Sequence, residues 1–158
     1  VFQYDGAIRQ AIIQFKYQNV KALAEPLARL MAPRLEISPS TVDMLVPVPS
    51  HPQRLRERGY NQAALLAGKL SRLTSIPVNN RTLVRTKNTP QQAKTDSLAQ
   101  RIENMSDAFA CKSRNLSGKR ILLIDDVCTS GTTLNSCAIP LKAAGAASVH
   151  AITLAKEI

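Results

Sequence analysis

Four apolar residues in a row, Ile121-Leu122-Leu123-Ile124, run directly into two acids, Asp125 and Asp126. A short unbroken apolar run that follows a turn at Ser117-Gly118 predicts a buried strand. Met44-Leu45-Val46-Pro47-Val48 predicts a second one, ended firmly by Pro47 and Pro49. Residues 147–158, ASVHAITLAKEI, predict a third. Residues 76–85 hold either two short strands or one with a break, and residues 104–111 enter an edge strand. Between these, the apolar period changes from a run to helical spacing. Apolar side chains at 7, 8, 11, 12 and 15 predict a helix over 5–17 with Asp5 as its N-cap. Leu23, Leu27, Leu30 and Met31 predict a second over 20–35, trimmed or kinked by Pro26 and Pro33. Ala64, Leu65, Ala67 and Leu70 predict a third over 61–73. Residues 134–144 predict a fourth with Pro140 inside it, closed by Gly145. Residues 86–101 are polar and aperiodic, which predicts a long loop; loops beyond ~12–15 residues in a compact domain are usually functional or disordered.

Strands alternating with helices predict a parallel sheet covered by helices. Ligands of such sheets bind beyond the carboxyl ends of the strands. The polar segments after Val48 and Val127 lie at those ends.

Composition narrows the class. The 158 residues fit one domain, and 44 % hydrophobic content suffices for one core. Trp is absent and Phe and Tyr number three each, so the core is aliphatic. No apolar run approaches the ~18–20 residues of a membrane span, and the first ten residues lack a signal layout. The expectation is a soluble cytoplasmic protein without membrane insertion. Cys111, Cys128 and Cys137 form no CxxC pair, which argues against zinc in this chain. His51 and His150 have no ligand spacing either.

The net charge of +10 is unevenly spread: the excess is +1 in residues 1–50, +8 in 51–101 and +1 in 102–158. A basic central third attracts polyanions, either nucleic acid or small ligands with several phosphates.

Two ionised carboxylates side by side repel each other and need a partner. A metal is one such partner. A cis-diol is another, since each hydroxyl donates one hydrogen bond to an acceptor oxygen. The following residues, Thr129-Ser130-Gly131-Thr132-Thr133, precede a predicted helix. Backbone N–H groups at a helix start form an anion site, and Gly131 lets the backbone close on a phosphate. Neither GxxxxGK[ST] nor GxGxxG is present. A diol acceptor beside a monophosphate cradle fits a ribose 5-phosphate.

The stretch IDDVCTSGTT resembles the phosphoribosyl-pyrophosphate (PRPP) motif of type I phosphoribosyltransferases. The resemblance narrows to the ComF family through VPVPSHPQRLRERGYNQ, the opening YDGAIRQAIIQFKY and the block from Leu83 to Phe109, and so spans nearly the whole chain. It implies a type I phosphoribosyltransferase-like α/β fold in one domain, 1–158, with a helical hood over 1–40 and an α/β core over 41–158. It implies that Asp125 and Asp126 hold the ribose diol, and that Thr129, Ser130, Gly131, Thr132 and Thr133 hold the 5-phosphate. The turn carrying Arg54, Arg58, Gly59, Tyr60 and Asn61 is implied to contact pyrophosphate, where arginine forks match phosphate oxygens. Arg85, Lys87, Gln92 and Arg101 mark the implied flexible loop that closes over the site. Magnesium is implied to come with PRPP. The family's N-terminal zinc module has no counterpart in this sequence. The implied activity is displacement at the anomeric carbon of ribose, with no evident enzyme base and no named acceptor. A third acid found in 6-oxopurine enzymes is missing at Val127, Cys128 and Thr129, which argues against such an acceptor. Cys128 reads as a small filler. The family's link to natural transformation implies single-stranded DNA and other DNA-uptake proteins as partners. The alternative is a single-strand-binding module whose PRPP site is a sensor or relic.

Overall fold

The computed structural model describes residues 1–35, 41–86, 108–113 and 115–157. In chain order the elements are β1 (Phe2–Gln3), α1 (Gly6–Tyr17), α2 (Ala24–Met31), β2 (Met44–Pro47), α3 (Pro52–Arg58), α4 (Gln62–Thr74), β3 (Leu83–Arg85), β4 (Phe109–Cys111), β5 (Arg120–Cys128), α5 (Thr132–Ala143) and β6 (Ser148–Lys156). A parallel sheet runs β1-β6-β5-β2, and β3 and β4 form a separate antiparallel pair. Leu123 of β5 sits between Val46 of β2 and Ala151 of β6, so β5 is a central strand.

Position in the sheet explains the unbroken apolar run. Alternate side chains of a strand point to opposite faces, and both faces of β5 are covered. Leu122 and Ile124 join Ile12, Phe15, Leu27, Met31, Leu66 and Leu70. Ile121 and Leu123 join Phe109, Leu116, Cys137 and Leu141 on the other side. Each fully buried leucine or isoleucine contributes about 1.5–3 kcal/mol, so β5 is a rigid support for whatever follows it. The hood helices expected over 1–40 bury Ile12, Phe15, Leu27 and Met31 in the first of these clusters, and β1 pairs with β6.

The entry to β2 and β5 is fixed electrostatically. The Asp43 carboxylate accepts from the Arg120 backbone N–H at 2.8 Å, from Nε at 2.9 Å and from Nη2 at 2.8 Å. These bonds hold the Asp43 carboxyl well below the usual carboxylate range.

The helix expected over 20–35 is divided. A 3-10 turn at Lys21–Leu23 leads into α2, and a second at Ala32–Leu35 follows it. Pro26 falls in the first turn of α2, where its missing N–H has no intrahelical partner to lose. The α3 helix was not legible from periodicity. Its only aliphatic residue, Leu55, is 45 % exposed, so it shows no apolar stripe. It is specified by its ends: Pro52 at the first turn, a cap from the His51 ring nitrogen to the Gln53 N–H at 3.1 Å, and Gly59 at φ 73° closing it. The interrupted segment 76–85 is one strand, β3, preceded by a single parallel bridge from Val78 to Leu45.

Candidate functional site

All four strands of the main sheet run parallel, so their carboxyl ends share one edge. The β5 strand continues through Asp125 and Asp126 to Cys128 without turning. The two acids therefore leave neighbouring positions of the strand end, and the Asp125 carboxyl folds back toward Asp126. Asp125 Oδ1 accepts the Asp126 N–H at 2.9 Å. Asp126 Oδ1 pairs with Lys16 Nζ of α1 at 2.9 Å, with both side chains largely buried. Asp125 lies within electrostatic reach of Arg54 and Cys137. Burial first, and the Asp126 charge second, push the Asp125 carboxyl up from its ordinary value; the Asp126 N–H, Lys16 and Arg54 pull the other way. Burial, with a smaller push from Asp125, also raises the Cys137 thiol far above its usual range, so it is an un-ionised core group.

Beyond Cys128 the chain turns through Thr129 and Ser130, both exposed, into α5. Gly131 occupies the N-cap at φ 78°, a left-handed backbone that other residues reach only with strain. Having no side chain, it leaves the leading N–H groups of α5 uncapped by the residue at that position. The Ser130 and Thr132 hydroxyls share a hydrogen bond at 2.8 Å, and Ser130 Oγ accepts the Thr132 N–H at 3.4 Å. Ser136 Oγ donates to the Thr132 carbonyl at 2.9 Å and ties the first turn together. Thr133 is half-buried beside them. This loop presents hydroxyls and helix-start N–H groups next to two carboxyls, an arrangement suited to an anion attached to a polyol.

The arginine-rich turn divides its residues by direction. Arg54 is exposed on α3 and acts on Asp125, His51 and Arg85 through its charge. Arg58 points elsewhere: its guanidinium lies 4.7 Å from the Tyr17 ring centre, and Nη1 donates to Gln62 Oε1 at 3.4 Å. Tyr60 is buried, and its hydroxyl donates to the Phe15 carbonyl. Its ring lies 5.9 Å from Phe15 and carries Lys21 Nζ at 5.1 Å. Asn61 caps α4 by accepting from the Ala63 N–H at 3.0 Å and donates to the Val48 carbonyl at 2.9 Å. So Tyr60 and Asn61 hold the turn to α1 and β2, and Gly59 supplies its bend. A polar cavity of 290 Å³ opens beside them, lined by Lys16, Tyr17, Asn19, Glu57, Arg58 and Tyr60.

Arg85, expected to open the flexible loop, is the last residue of β3, with its guanidinium 5.5 Å from the Phe109 ring centre. Burial and Arg54 lower its pKa. Lys87, Gln92 and Arg101 lie outside the described residues. His51 Nδ1 is an acceptor, so the neutral ring carries its proton on Nε2, which is buried without a hydrogen-bond partner among the described residues. Burial, then Arg85, Arg54 and Arg56, lower its pKa. Lys16 is the member of the site that sequence reading missed. It lies 110 positions from Asp126, inside the opening stretch YDGAIRQAIIQFKY, and no local spacing marks it as a partner of the acids. Among the described residues no three His, Cys, Asp or Glu side chains gather as a metal cage, and no helix is long and apolar enough to cross a membrane.

A family model described as a phosphoribosyl transferase domain matches residues 57–158. Competence protein F of Haemophilus influenzae is 34 % identical over 152 residues, covering 92 % of this chain and 66 % of that protein. Competence protein ComFC of Bacillus subtilis is 32 % identical over 165 residues, covering 99 % and 63 %. The DNA utilization protein YhgH of Escherichia coli K12 is 29 % identical over 163 residues, covering 100 % and 71 %. The chain thus spans 66 % and 63 % of the length of the first two relatives. Among solved structures, the glutamine PRPP amidotransferase of B. subtilis superposes with a TM-score of 0.55 at 20 % identity, covering 84 % of this chain and 26 % of that one. The purine phosphoribosyltransferase of Pyrococcus horikoshii gives 0.52 at 16 %, covering 83 % and 71 %. At these identities the likeness is one of fold.

Proposed function

The chain belongs to the phosphoribosyl transferase domain family, and on that premise we propose that it binds PRPP with magnesium at the carboxyl end of β5. The observation that carries the reading is one continuous stretch: two carboxyls on a rigid strand, then a glycine-bent, hydroxyl-lined helix start. The helix-start N–H groups and the hydroxyls of Thr129, Ser130, Thr132 and Thr133 take the 5-phosphate. Asp125 and Asp126 accept from the ribose 2- and 3-hydroxyls. Arg54, beside the acids, faces the pyrophosphate, and Arg58 adds to the charge of the same turn.

Two adjacent carboxyls with no third His, Cys, Asp or Glu gathered beside them, among the described residues, fit a cation that arrives on the ligand's phosphates better than a protein-built cage. Magnesium, when bound, neutralises charge on the pyrophosphate. In transfer, an acceptor nucleophile donates an electron pair to form a bond to the anomeric carbon, the bond from that carbon to the pyrophosphate oxygen breaks, and its electron pair leaves with pyrophosphate. The residues of this chain orient the ribose and stabilise the departing anion; none is assigned as a base. The names of the relatives support a role linked to competence and DNA use, which we place in the cytoplasm.

A second reading takes the basic central third as a surface for single-stranded nucleic acid, favoured by Arg54 and Arg56, both exposed on α3. Calorimetry with PRPP and magnesium, run beside titration of a labelled single strand, separates the two. PRPP binding that weakens in Asp125→Asn and Asp126→Asn supports the first. Strand binding with no PRPP binding replaces it with the second.

A further inference from the structure

Asp126 does not stand alone at the end of β5. An ammonium from the N-terminal helix reaches it at 2.9 Å, with the Lys16 and Asp126 side chains only 19 % and 10 % exposed. A partly buried lysine carries a desolvation cost that its partner must offset, so its placement is specific. The α1 helix is also held firmly. Ile12 and Phe15 are fully buried, and the Phe15 carbonyl accepts the Tyr60 hydroxyl. Lys16 is therefore delivered by a fixed element, from a residue next to those anchors.

The acid pair has an intrinsic difficulty. An ionised carboxyl accepts from a hydroxyl more strongly than a neutral one, yet adjacent carboxyls, Asp126 buried and Asp125 half-buried, discourage each other from ionising. We propose that Lys16 is a positioning residue of this site, an ammonium that anchors Asp126 and offsets the paired charge so that both carboxyls accept hydrogen bonds from a ribose diol. The inference rests on the ribose 5-phosphate reading of the site and adds a residue to it. The groups that act on Asp125 are Asp126 on its own strand, Lys16 on α1, Arg54 on α3 and Cys137 on α5, with Arg85 of β3 beyond Cys137. Cys137 is un-ionised, so Lys16 and Arg54 are the cations that oppose the rise of the Asp125 carboxyl. Arg54 is solvent-exposed on a surface helix, whereas Lys16 is enclosed and in contact with Asp126.

The test titrates ribose 5-phosphate by calorimetry from about pH 5.5 to 9 into the wild-type chain, Lys16→Met and Lys16→Arg, a window that brackets a raised carboxyl. Binding rises with pH as Asp125 ionises. In Lys16→Met the midpoint of that rise moves up by about one pH unit, and affinity at pH values below both midpoints falls ~10-fold. At high pH the variant recovers toward wild type, and Lys16→Arg keeps the wild-type profile. Equal weakening of Lys16→Met at every pH, or an unmoved midpoint, overturns the proposal and leaves Lys16 a packing residue. The Asp125 carboxyl carbon, followed by NMR without ligand, gives an independent reading. Its titration moves up in Lys16→Met, and an unchanged midpoint sinks the assignment. If the wild-type chain does not bind ribose 5-phosphate, the ribose reading fails by itself, and the NMR titration alone decides whether Lys16 controls the acids.

Discussion

Replacing Gly131 by alanine isolates the backbone contribution of the loop. At φ 78° an L-residue is strained, and a Cβ built there meets nothing within 4 Å. The substitution thus adds neither a clash nor a packing gain. The left-handed conformation alone costs an L-residue about 1–2 kcal/mol. For a chain of this size each kcal/mol lowers Tm by about 2–4 °C, so a turn that holds its shape predicts a fall of about 2–8 °C. The strain has one other outlet. If the new alanine leaves the left-handed region, stability recovers but the leading N–H groups of α5 swing away from the phosphate position. Affinity for ribose 5-phosphate then falls ~10-fold, the equivalent of about 1.4 kcal/mol. Thermal unfolding and calorimetry on the same sample read both outlets. A variant with unchanged Tm and unchanged affinity would mean that Gly131 carries no left-handed strain, because that strain must appear in one of them.

Gly68→Ala is the matched control. Gly68 lies inside α4 with open space at its Cβ and no left-handed backbone; the variant gains about 0.5–1 kcal/mol in thermal unfolding and binds ligand normally. Asp125→Asn separates stability from function. The folded-state pKa of Asp125 is raised, so the wild type loses stability as pH climbs from the ordinary carboxylate value through the raised one. Melting curves show the variant gaining on wild type across that window, with little difference below it, while ribose 5-phosphate binding weakens. Tyr60→Phe leaves the buried Phe15 carbonyl without its hydroxyl donor; urea unfolding shows a loss of about 1–3 kcal/mol.

The strands that were legible in sequence are those whose environment is uniform. Ile121 to Ile124 are buried on both faces, so their apolar run needs no period to be recognised. The α1 and α4 helices announced themselves by stripes against the sheet, through Ile12 and Phe15 in one and Leu66 and Leu70 in the other. The α3 helix packs no apolar face and was invisible to periodicity, although His51, Pro52 and Gly59 spelled out its ends. The two-residue β1 is too short to carry a pattern. In the site, the local part was readable as structure: Asp125 to Thr133 are contiguous, and strand end, glycine-bent turn and helix start follow in the expected order. The non-local part was not. The family resemblance grouped Arg54 with Arg58 and implied a ligand contact for Tyr60 and Asn61. Packing instead turns Arg58 onto Tyr17 and binds the Tyr60 and Asn61 side chains to backbone carbonyls of α1 and the segment after β2. The Lys16–Asp126 pair depends on how α1 crosses the end of β5, which no local spacing encodes.

We propose a PRPP site formed by the end of β5 and the start of α5. Calorimetric titration of PRPP with magnesium into the wild-type chain and Asp126→Asn tests it most directly. The expected result is saturable binding at one site in the wild type and marked weakening in the variant. No saturable heat in the wild type, or equal affinity in the two proteins, contradicts it.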